Sequence, residues 1–267
     1  MQIDTLFDSC RSAQMDAAAP QVSKDWTQGR TVYGGLSAGM VYAAIADKVQ
    51  NAGLLRAIAV NFVGPLLAEQ PFSIAVELLR QGKSTTQVSA RVIQNDNIAI
   101  VCLATLGHPR QSKIQVSSAA SHTMQVPMKG NFLPQIPKIT PKFLKHFELA
   151  KVQGSFPFTG SRDHHIHGWM RFKQAPKEIT DAHIITLIDA WPPATLQRLR
   201  WPAPASTMSW HIEFIHPAPV LAPQDWLAYQ ANTRQASGGY SHIEANVWDQ
   251  RGNLLAISRQ VVTVFDE

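Results

Sequence analysis

The sequence predicts an α+β fold of two tandem units, each a curved antiparallel sheet wrapped around one central helix. Three observations carry this. First, an apolar helix followed by four strand-like stretches occurs twice along the chain. Second, the spacing repeats: Pro65 precedes Asp96 by 31 residues and Pro217 precedes Asp249 by 32, each Asp standing in a polar turn. Third, 267 residues of which 45% are apolar suffice for two domain-sized cores.

The first unit opens at Tyr33-Gly34-Gly35. Residues 36–50 lack proline, are rich in alanine and are apolar all round, the pattern of a buried helix. Strands follow over residues 55–62, 72–80, 85–94 and 98–107. Gln81-Gly82-Lys83 and the hairpin signal Asn95-Asp96-Asn97 punctuate them. In the second unit Thr180 or Asp181 supplies a helix N-cap for residues 182–190. Pro192-Pro193 stops that helix at Trp191, because proline disfavours helix in the residue before it. Strands follow over residues 207–215, 226–236, 240–248 and 254–265, with a polar turn over 249–253. Residues 112–177 differ, with prolines at 127, 134, 137, 141, 157 and 176. The division is therefore 1–111 for one unit, 112–177 for a linker segment packing over the surface through apolar anchors at 143–149 and 156–170, and 178–267 for the second unit. A sheet with one apolar face must cover it, and a central helix does so. Two such units pairing edge to edge remove two exposed sheet edges.

Composition narrows the function. Charged residues are 16% of the chain, against ~25% in an average soluble protein, which excludes a highly charged disordered chain or coiled coil. The 24 basic and 19 acidic residues leave a formal charge of +5, spread thinly over residues such as Lys138, Lys142, Lys145, Lys151, Arg198 and Arg200. Without a basic block or aromatic platform, a small anionic ligand is expected rather than nucleic acid. No apolar run approaches the ~20 residues of a membrane helix, and residues 1–20 lack the pattern of a secretory signal. Cys10 and Cys102 alone make no disulfide framework, which suits a reducing, cytoplasmic setting. No metal and no cofactor is expected. His164, His165 and His167 beside Asp163 fit no common zinc spacing and read as a solvated loop, and His211, Glu213 and His216 read as residues of one strand.

Three motifs then resemble one family. Arg30-Thr31-Val32-Tyr33-Gly34-Gly35-Leu36 is similar to the glycine pair opening the first helix of acyl-CoA thioesterase II-like (TesB-like) proteins. Leu187-Ile188-Asp189-Ala190-Trp191-Pro192-Pro193 resembles their second helix with its catalytic aspartate. Leu255-Ala256-Ile257-Ser258-Arg259-Gln260, after Gly252, resembles their last strand with its glutamine. The resemblance covers about residues 26–107 and 181–264. It implies a double hotdog fold, acyl-CoA as substrate in fatty acid metabolism, and an Asp, a hydroxyl and a Gln that orient a water against a thioester carbonyl. Carried over by position, these are Asp189, Thr207 and Gln260. Ser209, on the same strand face by period-2 alternation, and Ser206 stay open as the hydroxyl. Gly34 and Gly35 are expected at the substrate, and Trp191 beside an acyl pocket. Two fused units already imitate a dimer, so a monomer and a homodimer are equally natural.

The chemistry suits those residue types. A thioester carbonyl is reactive, so a carboxylate that takes a proton from water suffices without a metal or a serine nucleophile. Hydrogen bonds from Gln260 and Thr207 would fix the water. Backbone N–H groups at the glycine-rich helix start would meet the developing oxyanion. Two other functions compete. A non-catalytic acyl-CoA-binding protein is consistent with Ala104 standing in the first unit where Gln260 stands in the second. A hydratase or dehydratase would pair a His with a carboxylate, yet Asp181 and His183, two apart on a helix, face different ways.

Overall fold

The computed structural model describes residues 2–11, 19–132 and 140–266. Lys138 and the prolines at 134 and 137 lie outside the described residues. A short helix α1 (Ile3–Asp8) and a two-stranded ribbon of β1 (Thr27–Gln28) and β2 (Thr31–Val32) precede the first unit. That unit comprises α2 (Gly34–Lys48), β3 (Leu54–Phe62), β4 (Ser73–Gln81), β5 (Thr85–Gln94) and β6 (Asn97–Gly107). After β7 (Phe147–Gln153) and β8 (His165–Phe172), the second unit repeats the order with α3 (Asp181–Ile188), β9 (Ala205–Phe214), β10 (Leu227–Ser237), β11 (Tyr240–Trp248) and β12 (Leu254–Val264). Among the described residues ten strands form one sheet in the order β4-β5-β6-β3-β9-β12-β11-β10-β8-β7, antiparallel at every step.

The two units meet where β3 pairs with β9, from Ala57 opposite Glu213 to Asn61 opposite Ser209. β5 and β11 alternate buried residues with more exposed ones along most of their length. In β5, Thr86, Val88, Ala90, Val92 and Gln94 face inward. The helices lie on that inner face. Residues 35–45 of α2 are all buried, as are residues 182–188 of α3, so both helices fill the core rather than cover it from one side. Each fully buried Leu, Ile or Val there is worth about 1.5–3 kcal/mol. The helices approach each other closely at Gly39, where a Cβ would collide with Thr186 Oγ1 and lie 2.8 Å from the Ala182 carbonyl. Thr180 caps α3, its backbone N–H donating to His183 Nδ1 at 3.2 Å.

The segment between the units holds more regular structure than its prolines suggest. β7 and β8 join the sheet beside β10, so the stretch read as surface anchors extends the sheet and covers the β10 edge. His165 and His167 therefore stand on a strand and not in a loop. A second, small core forms on the outer face. Trp169, Trp226, Trp248, Ala150 and Ala228 are buried there beneath Ala120 and Met124. Trp248 Nε1–H donates to the Ala120 carbonyl at 3.2 Å, and His122 meets Trp169 and Trp248 edge-on.

Candidate active site

The C-terminal end of α3 points at the N-terminal end of α2, and Asp189 stands between them as the C-cap of α3. A carboxylate at a helix C-terminus is unfavourable to its own helix dipole. Here the opposing start of α2 supplies the compensation: the Gly35 backbone N–H donates to the Asp189 carboxylate. From the last strand, Gln260 Nε2 donates to Asp189 Oδ1 at 2.9 Å. The glycines are required by space. A Cβ on Gly34 would stand 3.1 Å from Asp189 Oδ2 and 3.3 Å from Phe62, and one on Gly35 would stand 2.5 Å from the Tyr33 hydroxyl and 2.8 Å from Asp189 Cβ.

Burial raises the Asp189 carboxyl from its ordinary value of 3.8 to about 6, against the opposing effect of the Gln260 and Gly35 hydrogen bonds. Above that pH the group is an ionised base whose proton affinity is higher than a surface carboxylate's. Two phenols sit in its field, Tyr33 and Tyr229, and burial foremost holds both of them protonated. Tyr33 is fixed by donating to the Thr186 carbonyl at 2.7 Å and by stacking on Phe143 at 4.0 Å. Trp191 is 4% exposed and forms a wall. Tyr229 lies nearly parallel to it at 6.1 Å, Phe132 packs at 4.9 Å, and Gly168 leaves room for the edge of its ring.

The three candidate hydroxyls separate by strand register. Gln260 lies opposite Trp210, Val261 opposite Ser209, and Val262 opposite Thr207. Met208 is thus an inserted residue, a bulge. It cancels the alternation expected from sequence. Ser209 faces outward with Val261, Ser206 faces outward with Thr263, and Thr207 faces inward with the fully buried Val262. Thr207 is the diagonal neighbour of Gln260 on the inner face, a relation that spans roughly 7–8 Å. The expectation that Ser209 shares the face of Thr207 is therefore corrected.

The structure thus brings Asp189, Gln260, Gly34 and Gly35 into direct contact or close approach, adds Thr207 on the same face, and places Trp191 alongside. Tyr33, Tyr229 and Phe62 were not singled out from sequence. Tyr33 adjoins the glycine pair, which is the one signal that could have found it; Tyr229 comes from a strand 40 residues away. No group of three or more His, Cys, Asp or Glu side chains able to hold a metal ion occurs among the described residues. No helix among them is long and apolar enough to cross a membrane.

Two helices on one extended sheet, with a carboxylate and an amide facing the glycine-rich helix start, define a tandem hotdog protein. Comparison with known families makes this specific: residues 22–107 match the acyl-CoA thioesterase N-terminal domain and residues 119–264 the acyl-CoA thioesterase C-terminal domain, so the chain belongs to the TesB-like acyl-CoA thioesterase family. Solved structures agree in fold. A conserved protein of unknown function with a hot dog fold from Alicyclobacillus acidocaldarius superposes with a TM-score of 0.81 at 22% identity, covering 98% of each chain. The acyl-CoA thioesterase II TesB2 of Mycobacterium marinum gives 0.69 at 16% identity, covering 88% of this chain and 90% of that one. A Mycobacterium tuberculosis protein with a double hotdog fold gives 0.53 at 11% identity, covering 98% and 92%. No curated protein matches the chain.

Proposed function

We propose that the protein hydrolyses an acyl-CoA thioester to the free acid and CoA, with Asp189 as general base. Asp189 takes a proton from a water whose oxygen bonds to the thioester carbonyl carbon. The tetrahedral intermediate then collapses, the C–S bond breaks, and the CoA thiolate leaves and is protonated. Gln260 holds Asp189 in place through its amide hydrogens, and its carbonyl oxygen is free to accept from the same water. Thr207 would supply the further hydrogen bond that orients the water. Gly35 N–H is engaged with the carboxylate, and the adjacent Gly34 N–H, in the first turn of α2, would serve as a donor to the oxyanion. Trp191 and Phe62 flank the place the acyl group would take.

One observation carries this reading: Gln260 donates to a partly buried Asp189 directly in front of the glycine pair of α2. General-base assistance is worth ~10²–10⁴-fold and one oxyanion donor ~10²–10³-fold, ample for an activated ester. The test is thiol release from short-, medium- and long-chain acyl-CoAs by the wild type and by Asp189→Asn. Hydrolysis that disappears in the variant supports the mechanism. Hydrolysis unchanged in the variant removes Asp189 from it, and a wild type that binds acyl-CoA without turnover leaves a carrier in place of an enzyme.

A further inference from the structure

Six of the seven tryptophans are at most 4% exposed, whereas Trp201 is 81% exposed. A single exposed apolar side chain is ordinary on a folded surface, and Val220 and Met128 are more exposed still, so what distinguishes Trp201 is the charge beside it. Trp201 stands in the segment between the two functional stretches, twelve residues after Asp189 and six before Thr207.

The residues beside it are cationic and held in place. Residues 158–161 and 196–199 are joined by main-chain hydrogen bonds from Phe158 to Leu196, Gly160 to Leu199 and Ser161 to Gln197. Arg198 Nη1 donates to the Arg162 carbonyl at 2.9 Å. The Arg200 side chain crosses Gly160, whose φ of 65° and missing Cβ make the space; a Cβ there would lie 2.8 Å from Arg200 Cγ. Arg162, Arg198 and Arg200 are all exposed. Among the described residues none of the three is ion-paired, unlike Arg11, Arg171, Arg234 and Arg259. The neighbouring Asp163 is occupied by the Ser155 hydroxyl at 2.7 Å.

This cluster stands near the site. Thr195, on the same short helical turn as Arg198, contacts the Thr233 hydroxyl at 3.1 Å. Thr233, Ile243 and Gln260 are successive neighbours across β10, β11 and β12, so Thr233 is two strand spacings, about 10 Å, from Gln260. A flat aromatic face with three uncompensated guanidinium groups fits a purine carrying phosphates.

Resting on the hydrolase reading above, we propose that Arg162, Arg198, Arg200 and Trp201 form the shelf that holds the 3′-phospho-ADP end of coenzyme A. The experiment compares one acyl group carried on CoA, on pantetheine alone and on an acyl carrier protein. The variants are Trp201→Ala and the double substitution Arg198→Ala/Arg200→Ala, each checked by thermal unfolding. For the double variant KM for acyl-CoA is expected to rise about tenfold or more, with kcat retained, whereas KM for the pantetheine thioester stays where it was. Calorimetric binding of 3′,5′-ADP to the wild type is expected to weaken by a similar factor in the variant. Equal changes on CoA and pantetheine substrates, no change on either, or a change confined to the carrier-protein substrate overturns the assignment. The two readings fail separately. Nucleotide binding lost in the variant of a protein without turnover sinks the hydrolase and keeps the shelf. Turnover indifferent to the nucleotide keeps the hydrolase and sinks the shelf.

Discussion

Replacing Asp189 by Asn is expected to abolish hydrolysis and to stabilise the fold at the same time. The folded-state carboxyl is raised from 3.8 to about 6 by burial. A group raised in this way contributes its full stability below its unfolded value, and that contribution is lost as pH rises through the folded one. For Asp189 the loss therefore runs from about pH 3.8 to pH 6. At about 1.36 kcal/mol per pH unit, the wild type at pH 8 carries a penalty of about 3 kcal/mol that an uncharged residue escapes. Asn keeps an oxygen for Gln260 but turns an amide toward the Gly35 N–H, which returns about 1 kcal/mol. The net gain is about 2 kcal/mol, or about 4–8 °C in Tm for a chain of this size. Urea and thermal unfolding of both proteins at pH 8 and pH 4 measure it, beside thiol release from acyl-CoA. At pH 4 the penalty falls to about 0.5 kcal/mol, so the variant should there be no more stable than wild type, and kcat should fall by about 10²–10⁴. A variant no more stable than wild type at pH 8, or a difference that ignores pH, would refute a desolvated, ionised Asp189.

For the wild type, kcat/KM plotted against pH should rise through a midpoint near 6, since the base works only when ionised. Gln260→Ala removes a hydrogen bond to the ionised form, so that midpoint should move up as kcat falls about 10- to 100-fold; a midpoint moving down would contradict the contact. Thr207→Val should lower kcat about tenfold, while Ser206→Ala and Ser209→Ala, on the outer face, should leave it unchanged in the same assay. Gly35→Ala should cost about 1–3 kcal/mol in urea unfolding and most of the activity, because its methyl meets the Tyr33 hydroxyl and Asp189 Cβ; Gly34→Ala, with gentler contacts, should cost less.

The parts of the fold legible in the sequence are those fixed by local pattern. The alternation of β5 and β11 and the polar turns at Asn95 and Asp249 gave those strands their limits, and the apolar surround of residues 36–45 identified a core helix. Pairing between Asp189 and Gln260 was reached through resemblance and not through pattern, since 71 residues and the three strands β9, β10 and β11 separate them in ways no local rule encodes. Register was illegible at β9. Whether Met208 bulges depends on how β12 lies beside it, and that is decided by packing of Trp210 and Val262 in the core. β7 and β8 escaped notice because prolines and histidines flank them and because their apolar residues serve two cores, Phe147 and Phe172 on one face, Ala150 and Trp169 on the other. Tyr229 gave no signal at all, because a buried strand tyrosine and a site tyrosine look alike in sequence.

Under the proposed mechanism, the duplicated architecture accounts for one such site and not two among the described residues. The bulges at Ala99 in β6 and Leu255 in β12 correspond, so Ile100 matches Ala256 and Ala104 matches Gln260. The helices match as well: counted from their first residues, Gly34 corresponds to Asp181, Gly39 to Thr186 and Tyr42 to Asp189, and Gly39 meets Thr186 where they cross. At the mirrored end, α3 begins where α2 finishes, beside a cavity of about 550 Å³. There every functional position is altered. Tyr42 stands in place of the base, Ala104 in place of the amide, and Asp181 fills the space that Gly34 leaves open, accepting from the Tyr42 hydroxyl at 3.3 Å. Burial raises the Asp181 carboxyl as it raises Asp189, yet the carboxylate comes from the helix start, where it occupies the ground an oxyanion would need. Asp181→Asn and Tyr42→Phe should therefore leave kcat for thioester hydrolysis within about twofold of wild type while changing unfolding free energy by about 1 kcal/mol. A tenfold loss of kcat in either, with folding intact, would mean that both ends of the helix pair take part in the chemistry.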